Sequence, residues 1–267
     1  MVEYLIRELQ NVYTIATLSR GYGRKTKGFR WVEANDSYTQ TGDEPLQIKT
    51  KFASIAVAVC EDRIAGVQRI LKDKPKTNLI LLDDAFQHRA IKPRVQLVLS
   101  TYTHPFLTDW MMPSGRLRER RSGARRADAI VFTKTPNAGS SYAEATQYGI
   151  PVFYTTLSTE LLTQNQDSQT TIIYGFSGLA VNSGFENHLK ESYNLVGFSG
   201  YRDHYAYTQN DIDDIRKAAK GARIVCTEKD WIKIKDLKNT QDITPIRVRI
   251  SNEHDLINWI KAKLNES

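Results

Sequence analysis

Leu79-Ile80-Leu81-Leu82-Asp83-Asp84-Ala85-Phe86-Gln87-His88 decides how the rest of the chain is read. Four apolar residues predict a buried strand, and two adjacent carboxylates follow at its carboxyl end. In open parallel sheets that edge is where ligands bind. A paired Asp there has the form of a Walker B site, where carboxylates hold Mg²⁺ directly or through water beside a nucleotide. The same pair could simply end the strand in a turn or cap a helix, since Asp favours both. Gln87 and His88 add polar groups to the loop and weigh towards a site.

Working outward, the flanking runs alternate. Strand-like segments are expected at Val12 to Leu18, Ser54 to Val59, Val95 to Ser100, Ala129 to Thr133 and Val152 to Leu157. Later ones are Thr171 to Phe176, Asn194 to Phe198, Arg223 to Thr227 and Ile246 to Ile250. Helical patterns lie between several of them, at roughly Arg63 to Lys72, Tyr142 to Tyr148, Asp211 to Lys220 and His254 to Leu264. Thr208 with Asp211 resembles a capping box, with Asp in place of Glu. Alternation of this kind predicts an α/β protein with a mostly parallel sheet covered by helices on both faces. Val2, Leu5, Ile6 and Leu9 are spaced as an amphipathic helix, with no strand before it. The mostly polar stretch from Ser158 to Thr170 is where the domain boundary is expected, giving domains 1–162 and 163–267.

The composition sets bounds. At 267 residues the chain can bury a substantial core. The net charge of +7 and a pI near 9.3 favour anionic partners: nucleotides, nucleic acid, phospholipid surfaces or phosphorylated substrates. Cys60 and Cys226 show no metal spacing and read as buried reduced thiols. No run approaches the roughly 18 apolar residues of a membrane span, and no signal peptide is visible, so any membrane contact is expected to be peripheral.

Several clusters could carry chemistry. Asp43 in Gly42-Asp43-Glu44-Pro45 could cap a helix with Pro45 in its first turn, or act as a general base beside a phosphate. Ser19 to Arg30 sets Arg20, Arg24, Lys25, Lys27 and Arg30 among Gly21, Gly23 and Gly28, which suits a close approach to an anion or a solvated basic loop. Six arginines fall between Arg116 and Arg126, after Trp110-Met111-Met112, which could touch acyl chains or pack in the core. His204 follows a strand and neighbours Asp203, so it could act as a base or orient one. Thr227-Glu228-Lys229-Asp230 could close an ion-pair network or contact a ligand. No zinc spacing and no G-x-S-x-G elbow are present.

Ser19-Arg20-Gly21-Tyr22-Gly23-Arg24, Gly42-Asp43-Glu44-Pro45, Asp83-Asp84-Ala85-Phe86-Gln87-His88, Pro113-Ser114-Gly115-Arg116-Leu117-Arg118-Glu119, Asp203-His204 and Thr227-Glu228-Lys229-Asp230, in that order, resemble the tetraacyldisaccharide 4'-kinase family of lipid A synthesis. The resemblance implies a P-loop-NTPase-like α/β/α core with a smaller C-terminal α/β domain. It implies transfer of the ATP γ-phosphoryl group to the 4'-hydroxyl of an acylated glucosamine disaccharide 1-phosphate, at the cytoplasmic face of the bacterial inner membrane. By analogy Asp43 is the catalytic base and His204 its partner. Asp83 and Asp84 manage Mg²⁺, with Gln87 nearby at the ATP phosphates. Ser19, Arg20, Glu44, Arg116 and Arg118 fall on the substrate and phosphate side.

Two features depart from the family pattern. Ala85 stands where many members have Gly. The family also carries a hydrophobic helix, a first strand and a Walker A loop immediately before the helix that here begins at Met1, and residues 1–267 contain no G-x-x-x-x-G-K-[ST]. On this reading the chain begins one element late, and a catalytically impaired fragment or a non-catalytic lipid- or phosphate-binding remnant is the alternative. A nucleic-acid-binding protein using Tyr22, Phe29 and Trp31 is a third reading, opposed by acidic pairs that repel a phosphate backbone; no nucleic acid is expected as a partner.

Overall fold

The computed structural model describes residues 1–136, 142–161, 171–251 and 255–266. In chain order the elements are α1 (Val2–Leu9), β1 (Ile15–Ser19), β2 (Arg30–Trp31), α2 (Tyr38–Thr41), α3 (Asp43–Lys51) and β3 (Ala56–Val59). Next come α4 (Arg63–Asp73), β4 (Leu79–Leu82), β5 (Leu97–Thr101), β6 (Ala129–Thr133), β7 (Val152–Tyr154) and β8 (Thr156–Leu161). The chain continues with β9 (Ile172–Ser177), α5 (Ser183–Ser192), β10 (Asn194–Gly200), α6 (Gln209–Ala219) and β11 (Arg223–Thr227). It closes with α7 (Glu228–Ile234), β12 (Thr244–Ser251) and α8 (Asp255–Asn265).

These elements divide between two compact units, and neither is continuous in sequence. One comprises Met1–Ser19, Asp62–Ser158 and Arg249–Ser267, the other Arg20–Glu61 and Thr159–Val248. This differs from the single cut expected at 162/163, a point that itself lies outside the described residues. Polar composition marks where a chain lacks regular structure, whereas units are set by which segments pack together. The crossing inside the Ser19–Arg24 loop leaves no such compositional trace.

In the first unit β1 and β4 pair in parallel, from Ile15 with Leu79 to Leu18 with Leu82. A second parallel group runs β5-β6-β7. Its central strand β6 has Ala129 to Phe132 buried, as parallel strands covered on both faces require. Asp62 caps α4 by accepting from the backbone N–H groups of Ile64 and Ala65, at 2.9 and 3.1 Å. The amphipathic α1 buries Tyr4, Ile6 and Leu9. The strand expected over Val152 to Leu157 is instead two, β7 and β8, interrupted at Thr155, whose N–H turns inward to the Phe132 carbonyl at 2.8 Å.

Leu79 to Leu82 form the expected strand with the expected bounds, but they are half-buried and not buried. Beside β4 opens a cleft of about 470 Å³, lined also by α1, β5 and α8 and by Asp83 through His88. The carboxylate pair therefore sits at the rim of a cleft with an apolar floor.

In the second unit β2 and β3 are antiparallel, and β10, β9, β11 and β12 form a parallel series in that order. Helix α6 opens with the expected Thr208–Asp211 capping box. Helix α7 was not expected, although Thr227 caps it by the same Thr-x-x-Asp spacing. Helix α5 was also unread. Cys60 and Cys226 are buried and form no disulfide, as expected. Among the described residues no helix is long and apolar enough to cross a membrane.

Candidate active site

A dense cluster of polar side chains lies in the second unit, where α3, α7 and the loop after β10 converge. Helix α3 begins at Asp43 with Pro45 in its first turn, but its N-cap is Gly42, not Asp43. Gly42 has φ +92°, and a Cβ there would meet the Tyr22 carbonyl at 3.1 Å. Gly21 has φ +72°, and a Cβ would meet the Thr41 carbonyl at 2.7 Å. Only glycines allow these two loops to approach so closely with such backbones. Because Gly42 takes the capping position, the Asp43 side chain is released from capping and points to His204.

His204 Nδ1 lies 2.8 Å from Asp43 Oδ2. The Asp43 side chain is 6% exposed, and its Oδ1 accepts from the Glu44 backbone N–H at 2.9 Å. His204 is held in turn. Its backbone is left-handed at φ +54°, its N–H donates to Asp203 Oδ1 at 3.0 Å, and the Tyr22 ring lies 4.9 Å away. Left-handed backbone in a residue other than glycine points to a position fixed by its surroundings.

Lys229, the second residue of α7, closes the cluster. Its Nζ is 3.2 Å from His204 Nε2, 3.3 Å from Asp203 Oδ1, 3.4 Å from Glu44 Oε1 and 3.9 Å from Asp43 Oδ2. Burial pulls its pKa down, but Asp43, Glu44 and Asp203 together raise it above the ordinary lysine value. It is an ammonium throughout the neutral range and can only donate. Nε2 of a neutral His204 must then accept, which places the ring proton on Nδ1, donating to Asp43. The network thus assigns a tautomer and orients the Asp43 carboxylate.

Helix α7 is anchored from both ends. Glu228 pairs with Lys51 of α3 at 2.5 Å and with Arg247 of β12 at 3.2 Å. Asp230 is fully buried, accepts from Thr227 Oγ1 at 2.6 Å and from the Gly178 N–H at 3.0 Å, and pairs with buried Lys233 at 3.0 Å. Removing either partner of such a pair strands a buried charge at about 3–5 kcal/mol, so the turn carrying Lys229 is firmly placed.

The first unit holds the other acidic site. Asp83 follows β4 directly, its N–H donating to the Leu18 carbonyl at 3.0 Å. Asp84 has φ +46°, and both its carboxylate oxygens accept from Arg118 Nη1, at 3.0 and 2.9 Å. Gln87 donates to Glu119 at 3.1 Å, and Glu119 also accepts from both Arg126 amino groups, at 2.9 and 3.0 Å. The Arg126 hydrogen bond holds the Glu119 carboxyl below its usual range. Arg126 lies over the Phe86 ring at 4.6 Å. Arg116 is engaged by Asp109 at 2.9 Å. One hydrogen-bonded group thus ties the loop after β4 to the arginine-rich segment.

The structure brings together Asp43, Glu44 and His204, and separately Asp84, Gln87 and Arg118. Ser19 is the last residue of β1, and Arg20 follows it, exposed. Within the basic loop Arg24 is buried against Glu61 at 2.5 Å and the Gly28 carbonyl at 2.8 Å, so it builds the loop and offers nothing to an anion. Arg30 is paired with Asp36. Sequence reasoning left Lys229 undecided and did not assign Glu119 a role.

Comparison with known proteins identifies the family. The family model LpxK, "Tetraacyldisaccharide-1-P 4'-kinase", matches residues 1–265. The tetraacyldisaccharide 4'-kinase of Cytophaga hutchinsonii is 39% identical over 284 residues, covering 98% of this chain and 81% of its own. That of Flavobacterium psychrophilum is 35% identical, covering 98% and 82%. The crystal structure of LpxK from Aquifex aeolicus in complex with ATP superposes with a TM-score of 0.77 at 28% identity, covering 98% of this chain and 82% of that one. The expected P-loop-kinase-like α/β class is thereby supported by a structure as well as by the topology. The chain belongs to the tetraacyldisaccharide 4'-kinase family.

Proposed function

We propose that this protein transfers the γ-phosphoryl group of ATP to the 4'-hydroxyl of tetraacyldisaccharide 1-phosphate in lipid A synthesis, working peripherally at the cytoplasmic face of the inner membrane. The observation that carries the reading is the 2.8 Å Asp43–His204 contact, braced by Lys229, in a chain of this family. Asp43 accepts the proton of the 4'-hydroxyl as its oxygen bonds to the γ-phosphorus. The bond from that phosphorus to the bridging oxygen breaks, and ADP leaves with the electron pair. His204 and Lys229 keep the Asp43 carboxylate aimed, and a positioned base of this kind contributes roughly 10²–10⁴-fold.

Two groups of side chains compete for the role of Mg²⁺ site. Ligand atoms of Asp43, Glu44 and His204 lie within 4.8 Å of one another, but the Lys229 ammonium already sits among them and repels a cation. Asp83 and Asp84 offer the carboxylate set a hard cation prefers, at the rim of an open cleft. They would hold Mg²⁺, which when bound neutralises phosphate charge. Gln87 lies beside that pair for the ATP phosphates. Arg118 serves phosphate charge by leaving Asp84, an exposed pair worth about 0–1 kcal/mol, so the exchange costs little, while Arg116, held by Asp109, stands on the same phosphate side. Ser19, Arg20 and Glu44 are assigned to substrate and phosphate contacts by the family resemblance alone.

The test is transfer from γ-labelled ATP to the acyl disaccharide 1-phosphate, with the product position read by ³¹P NMR. Label at the 4' oxygen is expected; label at another position, or none transferred by the folded protein, would overturn the reading.

A further inference from the structure

Between residues 109 and 126 a feature remains that phosphoryl transfer does not use. Trp110, Met111 and Met112 are 67%, 44% and 65% exposed, three large apolar side chains in a row. They stand on a tightly built turn. The Leu117 N–H donates to the Trp110 carbonyl, the Met112 N–H to the Leu117 carbonyl, and the Gly115 N–H to the Met111 carbonyl, each at 3.0 Å. A Cβ at Gly115 would meet the Trp110 carbonyl at 2.2 Å, so the turn closes only around glycine. Asp109 locks its base by accepting from the Trp110 N–H at 2.8 Å and from Arg116 Nε at 2.9 Å. A segment so thoroughly hydrogen-bonded could have turned these side chains inward, yet it presents them to solvent.

The rim is cationic. Six arginines face two carboxylates across this stretch, and both carboxylates are already paired, Asp109 with Arg116 and Glu119 with Arg126. Arg120, Arg121 and Arg125 are exposed, and the Arg121 guanidinium lies 5.8 Å over the Trp110 ring. Tryptophan favours the boundary between acyl chains and headgroups, and methionine fills irregular apolar space. Arginine adds attraction to anionic headgroups, and stable peripheral binding takes both signals together.

We infer that the Trp110–Met112 turn, with its arginine rim, is the surface by which this protein docks on an anionic phospholipid bilayer. This deepens the proposed peripheral membrane role and rests on it, but it is read without turnover. Apolar side chains enter the interfacial layer while Arg120, Arg121 and Arg125 meet the lipid phosphates.

The test is co-sedimentation of the protein with phosphatidylglycerol–phosphatidylcholine vesicles and with phosphatidylcholine vesicles alone, without nucleotide or acceptor. Binding to the anionic vesicles is expected, weakening with salt as surface charge is screened. Trp110→Ser/Met112→Ser should weaken it about tenfold or more, since the apolar contribution is lost. Arg120→Ser/Arg125→Ser should weaken it and flatten its salt dependence. All four side chains are exposed, so a wild-type circular dichroism spectrum and melting temperature are expected of both variants. Unchanged partitioning of the folded Trp110→Ser/Met112→Ser variant, or equal binding to neutral vesicles, would overturn the inference. So would intact vesicle binding by that variant with turnover lost on micellar substrate, which would place the turn against substrate acyl chains. Failure of the kinase reading alone would appear as absent transfer beside an unaltered vesicle result.

Discussion

Asp43 and Asp84 are the same residue type, each beside a second acid at the edge of a regular element, yet their surroundings are opposite. Asp43 has a side chain 6% exposed, fixed by an imidazole, a backbone N–H and a lysine ammonium. The Asp84 side chain is 67% exposed on left-handed backbone and pairs with Arg118. The difference follows from the proposed tasks. A proton acceptor must be aimed before the substrate arrives, so its orientation is built into the fold. A carboxylate that receives a hydrated cation must be reachable, and a weak exposed pair holds it until then.

The comparison can be broken from either side. The largest effect is expected at Asp43: Asp43→Asn keeps the shape and removes the base, and kcat should fall roughly 10²–10⁴-fold. A near-wild-type rate would remove Asp43 from that role. Next is Lys229→Met, which leaves the base in place but unbraces His204. It should lower kcat roughly tenfold, about 1.4 kcal/mol, with KM for ATP little changed. A rise in KM alone would make Lys229 a nucleotide ligand. The smallest effect concerns Arg118→Ala. Thermal unfolding should shift by less than about 1 kcal/mol, because the pair is exposed, while ATP affinity, read by calorimetry, drops. A large loss of stability would make the Asp84–Arg118 pair structural.

How much of this was legible in the sequence differs between the two sites. The Asp83–Asp84 pair was visible because strand and carboxylates are neighbours in sequence, and the observed β4 has the expected bounds. Its half-burial was not visible: an apolar run looks alike whether it lies deep in a core or along a cleft. The Asp43–His204 pair spans 161 residues, and no local pattern can signal such a contact. Family resemblance suggested it; spacing did not. Lys229 shows the same limit, since its role depends on three acids from the first turn of α3 and the loop after β10. The Thr227–Asp230 spacing did carry a helix signal, identical in kind to the Thr208–Asp211 box, and it was readable. Arg24 shows the converse failure. A glycine-rich basic loop suggests anion binding, but burial commits that guanidinium to Glu61 and the Gly28 carbonyl.

The central claim is that Asp43 and His204 act as one unit, and a double-mutant cycle on turnover tests it most directly. If His204 works by aiming Asp43, removing His204 matters little once the carboxylate is gone. Asp43→Asn/His204→Ala should then transfer phosphoryl at a rate within a few-fold of Asp43→Asn alone, the non-additivity expected of coupled groups. Losses that multiply, so that the double variant is slower by the product of the two single effects, would contradict it.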